Sequence, residues 1–211
     1  MPRPGQPDCY RKRAQAEGYV ARAIYKLKEV DEKYHLFKAG QRVLDLGCSP
    51  GSWLQYIGGR IGPQGLVVGI DANPLEIKVA PPLYFVQGDV TSIDFETLTA
   101  INPVFDVVVS DMAPKTTGMR QVDQQRSLDL AFLAWEWAEN LLRTGGHFLV
   151  KVFEGPDTGA LMAVLKAGFK SCRPVKPAGS RPASREIYLL GLKRRGASVS
   201  DHAPQSGHRL P

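Results

Sequence analysis

The chain predicts an α/β protein with a doubly wound, mostly parallel sheet. Short apolar runs alternate along it with segments of helical periodicity, the signature of β-α-β units whose helices cover both faces of a sheet. The clearest case is Val43-Leu44-Asp45-Leu46-Gly47-Cys48-Ser49-Pro50-Gly51-Ser52-Trp53, an apolar run that turns through two glycines four apart into a helix. Glycines at such a turn let the backbone approach a ligand closely, as nucleotide-like groups are held. Ser49 stands where the middle glycine of a dinucleotide Gly-x-Gly-x-x-Gly loop would be, so the turn alone does not choose between a ligand site and a plain strand-to-helix connection.

Residues 1–17 are polar and basic, with Arg11, Lys12 and Arg13 in a row, and are expected to form an arm with little fixed structure. After Gly18 the apolar positions Val20, Ala23, Ile24, Leu27 and Tyr34 recur at helical spacing, with Lys26 on the flank of the stripe. The first strand covers 42–46, and its helix is expected to start near Gly51 and stop at Gly58-Gly59. Strands over 66–70, 83–86 and 105–110 follow, closed by Asp71, Gly88-Asp89 and Asp111. A loop over 112–121 carries Pro114 and Gly118. Leu128, Phe132, Trp135 and Leu142 then mark a long helix over about 121–142, ended by Gly145-Gly146. A strand over 147–153, a helix over about 158–167, a short strand near 171–175, a basic loop and a last strand over 186–192 complete the pattern. The domain is expected to span 18–195, and the tail 196–211, poor in apolar residues, to be disordered.

With 211 residues the chain supports one sizeable core. Its uncharged runs fall short of the ~18 residues of a membrane span, and the first ten residues lack the apolar core of a signal peptide, so a soluble, cytoplasmic protein is expected. Cys9, Cys48 and Cys172 are odd in number and lack metal-ligand spacing, which argues against a disulfide framework and fits a reducing compartment. The net charge of +6 is unevenly spread: residues 1–42 hold ten Lys and Arg against five Asp and Glu, residues 43–165 seven against fourteen, and residues 166–195 nine against one. Basic ends around an acidic middle suggest a surface for a polyanion beside a site with different needs.

In open sheets of this kind ligands sit outside the carboxyl ends of the strands. Asp71, twenty residues after Gly51, is placed to accept from ribose hydroxyls, and Asp89, after the next strand along, from an exocyclic adenine amine. Each taken alone is more often a turn or cap residue; three acids at consecutive strand ends are less readily so explained. Together with Asp45 and Asp111 they would repel a pyrophosphate and suit the positive sulfonium and amino group of S-adenosylmethionine. Trp53, in the first turn of its helix, can wall such a pocket or belong to the core. The sharpest anomaly is Lys151 inside Phe148-Leu149-Val150-Lys151-Val152-Phe153, because a buried ammonium without partners costs several kcal/mol. Asp111 ends the neighbouring strand, and Glu186 begins the last strand at the same edge if that strand runs antiparallel. Lysine and both acids can therefore meet, as a structural ion pair or as catalytic groups.

From Tyr10 to about Lys193 the motifs resemble the FtsJ/RlmE family of ribosomal RNA ribose 2'-O-methyltransferases. The likeness runs through Arg22-Ala23, Tyr25-Lys26-Leu27, Asp45-Leu46-Gly47, Pro50-Gly51-Ser52-Trp53, Gly88-Asp89, Ser110-Asp111-Met112-Ala113-Pro114, Val150-Lys151-Val152-Phe153 and Ser184-Arg185-Glu186. It implies a Rossmann-like methyltransferase fold with a seven-stranded sheet and an antiparallel last strand. It also implies a catalytic set of Lys26, Asp111, Lys151 and Glu186, and S-adenosylmethionine contacts at Gly51, Trp53, Asp71, Asp89 and Asp111. The family's Ala-Pro-Gly-Gly-Trp is Ser-Pro-Gly-Ser-Trp here, with Cys48 before it, and Ala72-Asn73-Pro74 follows Asp71. The expected reaction is 2'-O-methylation of a ribose, of a uridine in large-subunit (23S) ribosomal RNA, with transfer RNA or another RNA as the alternative substrate. The expected partner is ribosomal RNA or the large ribosomal subunit, without a metal or a membrane, and the expected state is a monomer. Two other classes bear comparison. A nicotinamide oxidoreductase shares the fold but lacks use for Asp89 and the basic ends, and a non-catalytic RNA-binding module leaves Lys151 without a reason.

Overall fold

In the computed structural model, residues 9–177 and 184–196 are described. The tail from 197 onward and the first eight residues of the arm lie outside them. The elements in chain order are α1 (Cys9–Ala16), α2 (Ile24–Tyr34), β1 (Arg42–Leu46), α3 (Ser52–Ile61), β2 (Leu66–Asp71), β3 (Leu83–Gln87), α4 (Phe95–Thr99), β4 (Phe105–Ser110), α5 (Arg120–Leu141), β5 (Leu142–Phe153), α6 (Thr158–Gly168), β6 (Phe169–Val175) and β7 (Glu186–Arg194). The strands form one sheet in the order β3-β2-β1-β4-β5-β7-β6, in which β7 runs antiparallel to both neighbours and the other pairings are parallel.

Strand alternation divides the apolar residues between two cores. Leu44 and Leu46 of β1, Phe148, Val150 and Val152 of β5, and Ile187 and Leu189 of β7 face α5 and α6. Val43, Val107, Val109, Leu149, Tyr188 and Leu190 face α1, α2 and α3. By the same period of two, Lys151 shares its face with Leu149. It therefore lies on the side that carries α2, and with it Lys26.

Several local expectations are corrected by tertiary contacts. The arm is not without structure, since Cys9–Ala16 is helical. Ala14 is buried, the Tyr10 and Tyr25 rings stand 5.5 Å apart, and Arg13 pairs with Glu17 at 2.7 Å while lying over the Tyr25 ring. The second helix does not begin after Gly18 but at Ile24, because the Gln55 side chain accepts from the Val20 amide and donates to the Gly18 carbonyl, holding this stretch against α3 as a connection. α3 runs through Gly58-Gly59 to Ile61. A Cβ on Gly58 would come within 2.7 Å of the Leu83 side chain, so this glycine admits close helix-to-strand packing and does not end the helix. β5 begins at Leu142, so Arg143 to Gly146 belong to a strand and not to a helix end; Gly146 lets it pass the Asp106 carbonyl, which a Cβ would approach to 2.8 Å. The short α4 escaped periodicity altogether and is held by Phe95, whose ring lies 4.1 Å from that of Trp137.

α2 is locked to α3 by Asp31, which is 1 % exposed and accepts from the Phe37 amide at 3.0 Å, the Tyr56 hydroxyl at 2.8 Å and Arg60 Nε at 3.0 Å. Removing this carboxylate strands two buried donors. Asp31→Ala is expected to lower stability by about 3 kcal/mol, read as a shift of the denaturant midpoint at unchanged slope; a midpoint equal to that of the parent would show that α2 is held by its apolar face alone.

Candidate active site and cofactor cleft

The carboxyl ends of β1, β2, β3 and β4 frame a cleft of about 360 Å³ lined by Gly47, Ser49, Asp71, Asn73, Asp89, Thr91, Asp111 and Met112, among others. Gly47 has φ 79°, and a Cβ there would fall 2.5 Å from Met112 Cγ, so this turn requires glycine twice over, for its backbone and for its neighbour. Gly51 precedes α3 with φ 116°, and its missing Cβ leaves room for Ile77.

The acids of the cleft differ in what they have left to offer. Asp71 accepts from the Ser49 amide through Oδ2 at 2.9 Å and from the Asn73 amide and side chain through Oδ1, so it is oriented by its own loop and by the turn after β1, and keeps a free lone pair. Asp89 is exposed and spends Oδ1 on the Thr91 amide and hydroxyl; these bonds hold its carboxyl below the usual carboxylate range. Oδ2 of Asp89 accepts no bond from the described residues. Asp45 lies beneath the cleft, fully buried, with neither oxygen hydrogen-bonded. Burial, and then the charges of Asp111 and Asp71, push its carboxyl well above the ordinary range.

Beside the cleft stands a second constellation. Lys151, 5 % exposed, donates to the Asp111 carbonyl and pairs with Asp111 Oδ1 at 3.1 Å. Tyr188 is opposite Lys151 in the β5–β7 ladder and donates to the same Oδ1 at 2.6 Å. Its burial, together with the Asp111 charge, raises the phenol well above its ordinary value, so it remains a donor and fixes the carboxylate. Lys26 Nζ of α2 pairs with Glu186 Oε2 at 2.7 Å. Burial favours the neutral form of Glu186, but the hydrogen bond and charge of Lys26, with the charge of Lys151 behind, outweigh it and hold the carboxyl below its usual value. The structure thus joins the four sequence-predicted residues as two ion pairs at one edge of the sheet.

Trp53 is buried, donates from Nε1 to the Ala23 carbonyl at 3.0 Å, and packs with its ring 6.0 Å from that of Tyr188; neither it nor Gly51 lines the cleft. Sequence reasoning missed Tyr188, since only the register of an antiparallel strand reached across a long loop sets it against Lys151. It also missed Asp123. This side chain, in the first turn of α5, accepts from the Thr117 amide and hydroxyl and the Gly118 amide, which pulls its carboxyl down and ties the loop after Asp111 to the helix. The spacing Thr117-x5-Asp123 was its one available signal. Among the described residues no group of three His, Cys, Asp or Glu is placed to hold a metal ion, and no helix is long and apolar enough to cross a membrane.

Comparison with known proteins agrees with this architecture. A family model for FtsJ-like methyltransferases matches residues 19–194. A protein of Bdellovibrio bacteriovorus named ribosomal RNA large subunit methyltransferase E is 42% identical over 191 residues, covering 89% of this chain and 97% of that one. One of the same name from Coxiella burnetii is 44% identical over 192 residues, covering 88% and 90%. The crystal structure of a ribosomal RNA methyltransferase from Plasmodium falciparum superposes with a TM-score of 0.74 at 31% identity, covering 84% of this chain and all of that one. With its 3-2-1-4-5-7-6 sheet, its acid-lined cleft and its paired lysines and carboxylates, this chain belongs to the FtsJ-like methyltransferase family.

Proposed function

We propose that the protein methylates a ribose 2'-hydroxyl of large-subunit ribosomal RNA, a uridine of the 23S molecule, using S-adenosylmethionine. The observation that carries the reading is Lys151: a lysine buried in a strand, held at the lip of a cleft whose lining has three carboxylates and no cation. The residues fit the cofactor. An anionic cleft favours a ligand that bears positive charge, Gly47 leaves space where a side chain would collide, and the unpartnered oxygens of Asp45 lie beneath. Asp71 would hold the ribose, Asp89 the adenine amine through its uncommitted Oδ2, and Gly51, Trp53 and Asp111 would complete the site, Trp53 by supporting the Tyr188 side of it. The cofactor, when bound there, supplies an electrophilic methyl group.

The chain's own task is to place a hydroxyl and take its proton. A neutral lysine amine has two N–H donors and one lone pair. The two acceptors beside Nζ, the Asp111 carbonyl and Oδ1, match the donors and leave the lone pair for the proton of the hydroxyl. Tyr188 stabilises the Asp111 charge and so tempers its hold on that proton. Lys26, paired with Glu186 at rest, would stabilise the alkoxide as it develops. RNA would reach this edge along the cations of α1 and α2, of which Arg11 and Lys12 are exposed, and along Arg173 and Arg185; residues 178–183 of the basic loop expected there lie outside the described residues. A ribosomal substrate, in the cytoplasm where ribosomes are assembled, draws support from the relatives' names over the transfer RNA alternative.

Three outcomes are expected. Lys151→Ala abolishes transfer of labelled methyl groups to ribosomal RNA while cofactor affinity by calorimetry stays within about twofold, and Lys151→Arg does not restore it, because a guanidinium does not give up its proton in a protein. An active Arg variant would leave Lys151 an electrostatic role only. Asp89→Ala raises the Michaelis constant for S-adenosylmethionine by roughly tenfold, the loss of about one charged hydrogen bond, without changing RNA affinity; an unchanged constant would return Asp89 to its turn with Thr91. The Lys26–Glu186 pair does not limit the rate above pH ~5. Glu186, held below its ordinary value, is charged throughout that range, and its pair with Lys26 is lost only as pH falls through that lowered value. An ionisation between pH ~5 and 7 that Glu186→Gln removes from the rate profile would contradict this.

A further inference from the structure

The catalytic groups occupy the carboxyl ends of β4 and β5. At the opposite edge of the sheet, the start of β5, the start of β6 and the end of β7 enclose a recess of about 340 Å³ lined by Lys38, Arg143, His147, Lys170, Lys193 and Arg194, with no carboxylate on its lining. Along β5 His147 lies four positions before Lys151, and along β7 Lys193 lies seven positions after Glu186, so the recess lies roughly 13 to 23 Å from the catalytic pairs.

Two of these cations are already committed. Arg194 donates to the Ala138, Glu139 and Leu142 carbonyls at the end of α5 and feels the Glu139 charge, and Arg143 Nε meets Asp106 Oδ1 at the border. Lys38, Lys170 and Lys193 have no carboxylate partner among the described residues. Lys170 falls between Phe169, which pairs with Arg194, and Ser171, which pairs with Leu192, so Lys170 and Lys193 stand at a break in the β6–β7 ladder, and both line the recess. Lys193 also has φ 59°, a left-handed backbone that costs a non-glycine residue about 1 kcal/mol. Its amide donates to His147 Nδ1 at 3.2 Å, which leaves the imidazole proton on Nε2 as a donor. Burial first, then the charges of Lys38, Arg143 and Lys193, keep His147 below its ordinary value; Asp106 opposes them weakly. Cations without carboxylate partners and a strained backbone gathered at one exposed recess are what an incoming anion relieves.

We propose that this recess is a second RNA-backbone site, in which Lys38, Lys170, Lys193 and the His147 Nε2–H hold phosphates of the same RNA that the far edge methylates. It rests on the reading of the protein as an RNA methyltransferase and adds to it that the substrate is a folded RNA reaching both edges of the sheet. The exposed Arg42 and Arg195 extend the positive surface around the recess, as a polyanion needs and a single small anion does not.

The test uses the full chain and the variant K38Q/K170Q/K193N, in which asparagine tolerates the left-handed backbone. Binding of a duplex RNA of about twenty base pairs is followed against salt by fluorescence anisotropy, and the His147 imidazole by NMR during separate titrations with that RNA and with inorganic phosphate. The RNA is expected to move the His147 signals, and the variant to lose roughly 0.9 from the salt slope for each lost contact and to bind at least tenfold more weakly, with cofactor binding unchanged. An unaltered slope with His147 signals blind to RNA overturns the proposal. Signals that answer phosphate but not RNA overturn it in favour of a small-anion site. Because the slope and the signals do not depend on methyl transfer, an inactive protein that still shows both would sink the proposed reaction and leave the second site standing.

Discussion

The active edge of this protein depends on how a lysine is kept inside a strand. Lys151 is surrounded by the apolar residues that β5 needs for its place in the sheet, and its ammonium or amine has to be satisfied within one side chain's reach. Asp111 does this with two different oxygens, one from its backbone and one from its carboxylate, because β4 ends beside β5 with Ser110 opposite Val150. Tyr188 then shares the carboxylate from the other neighbouring strand. Three adjacent strands thus converge on one oxygen atom, and the buried network is fully partnered, as such networks must be if they are to be rigid. Lys26 and Glu186 complete the edge at its more exposed border, where their pair is stabilised by geometry and not by burial.

Charge segregation follows the same division of labour. The acids gather at the carboxyl ends of β1 to β4, where a positively charged group is suited, and the cations gather on α1 and the chain beyond α6. A single surface of mixed sign would attract RNA phosphates into the cofactor cleft. Separation leaves the acid-lined cleft without a cation on its lining, with Lys151 at its boundary through Asp111. At the opposite edge the recess around Lys193 has cations and no carboxylate on its lining, and burial first and those cations second keep His147 below its ordinary value.

Local pattern carried much of this structure. β1 and β4 were legible to the residue, since a strand buried on both faces is a continuous apolar run with polar punctuation. Lys151 was legible as an anomaly for the same reason. What pattern misread were the glycines. Gly58-Gly59 and Gly145-Gly146 looked like helix stops, yet Gly58 makes room for Leu83 and Gly146 for the Asp106 carbonyl. The arm likewise looked unstructured because its residues are polar, while its order comes from Ala14 and from aromatic contacts with α2.

The sequence by itself determined the fold class and the acids at the strand ends, and the family resemblance singled out Lys26, Asp111, Lys151 and Glu186, because apolar runs, strand ends and family motifs are written in consecutive residues. Only the tertiary structure decided that Lys26 pairs with Glu186 and Lys151 with Asp111, that Tyr188 fixes Asp111, that Trp53 packs against Tyr188 without lining the cleft, and that five lysines and arginines from distant segments share one recess. Those facts depend on strand register and on which face of the sheet each helix covers, and long-range geometry of that kind has no expression in the spacing of neighbouring residues.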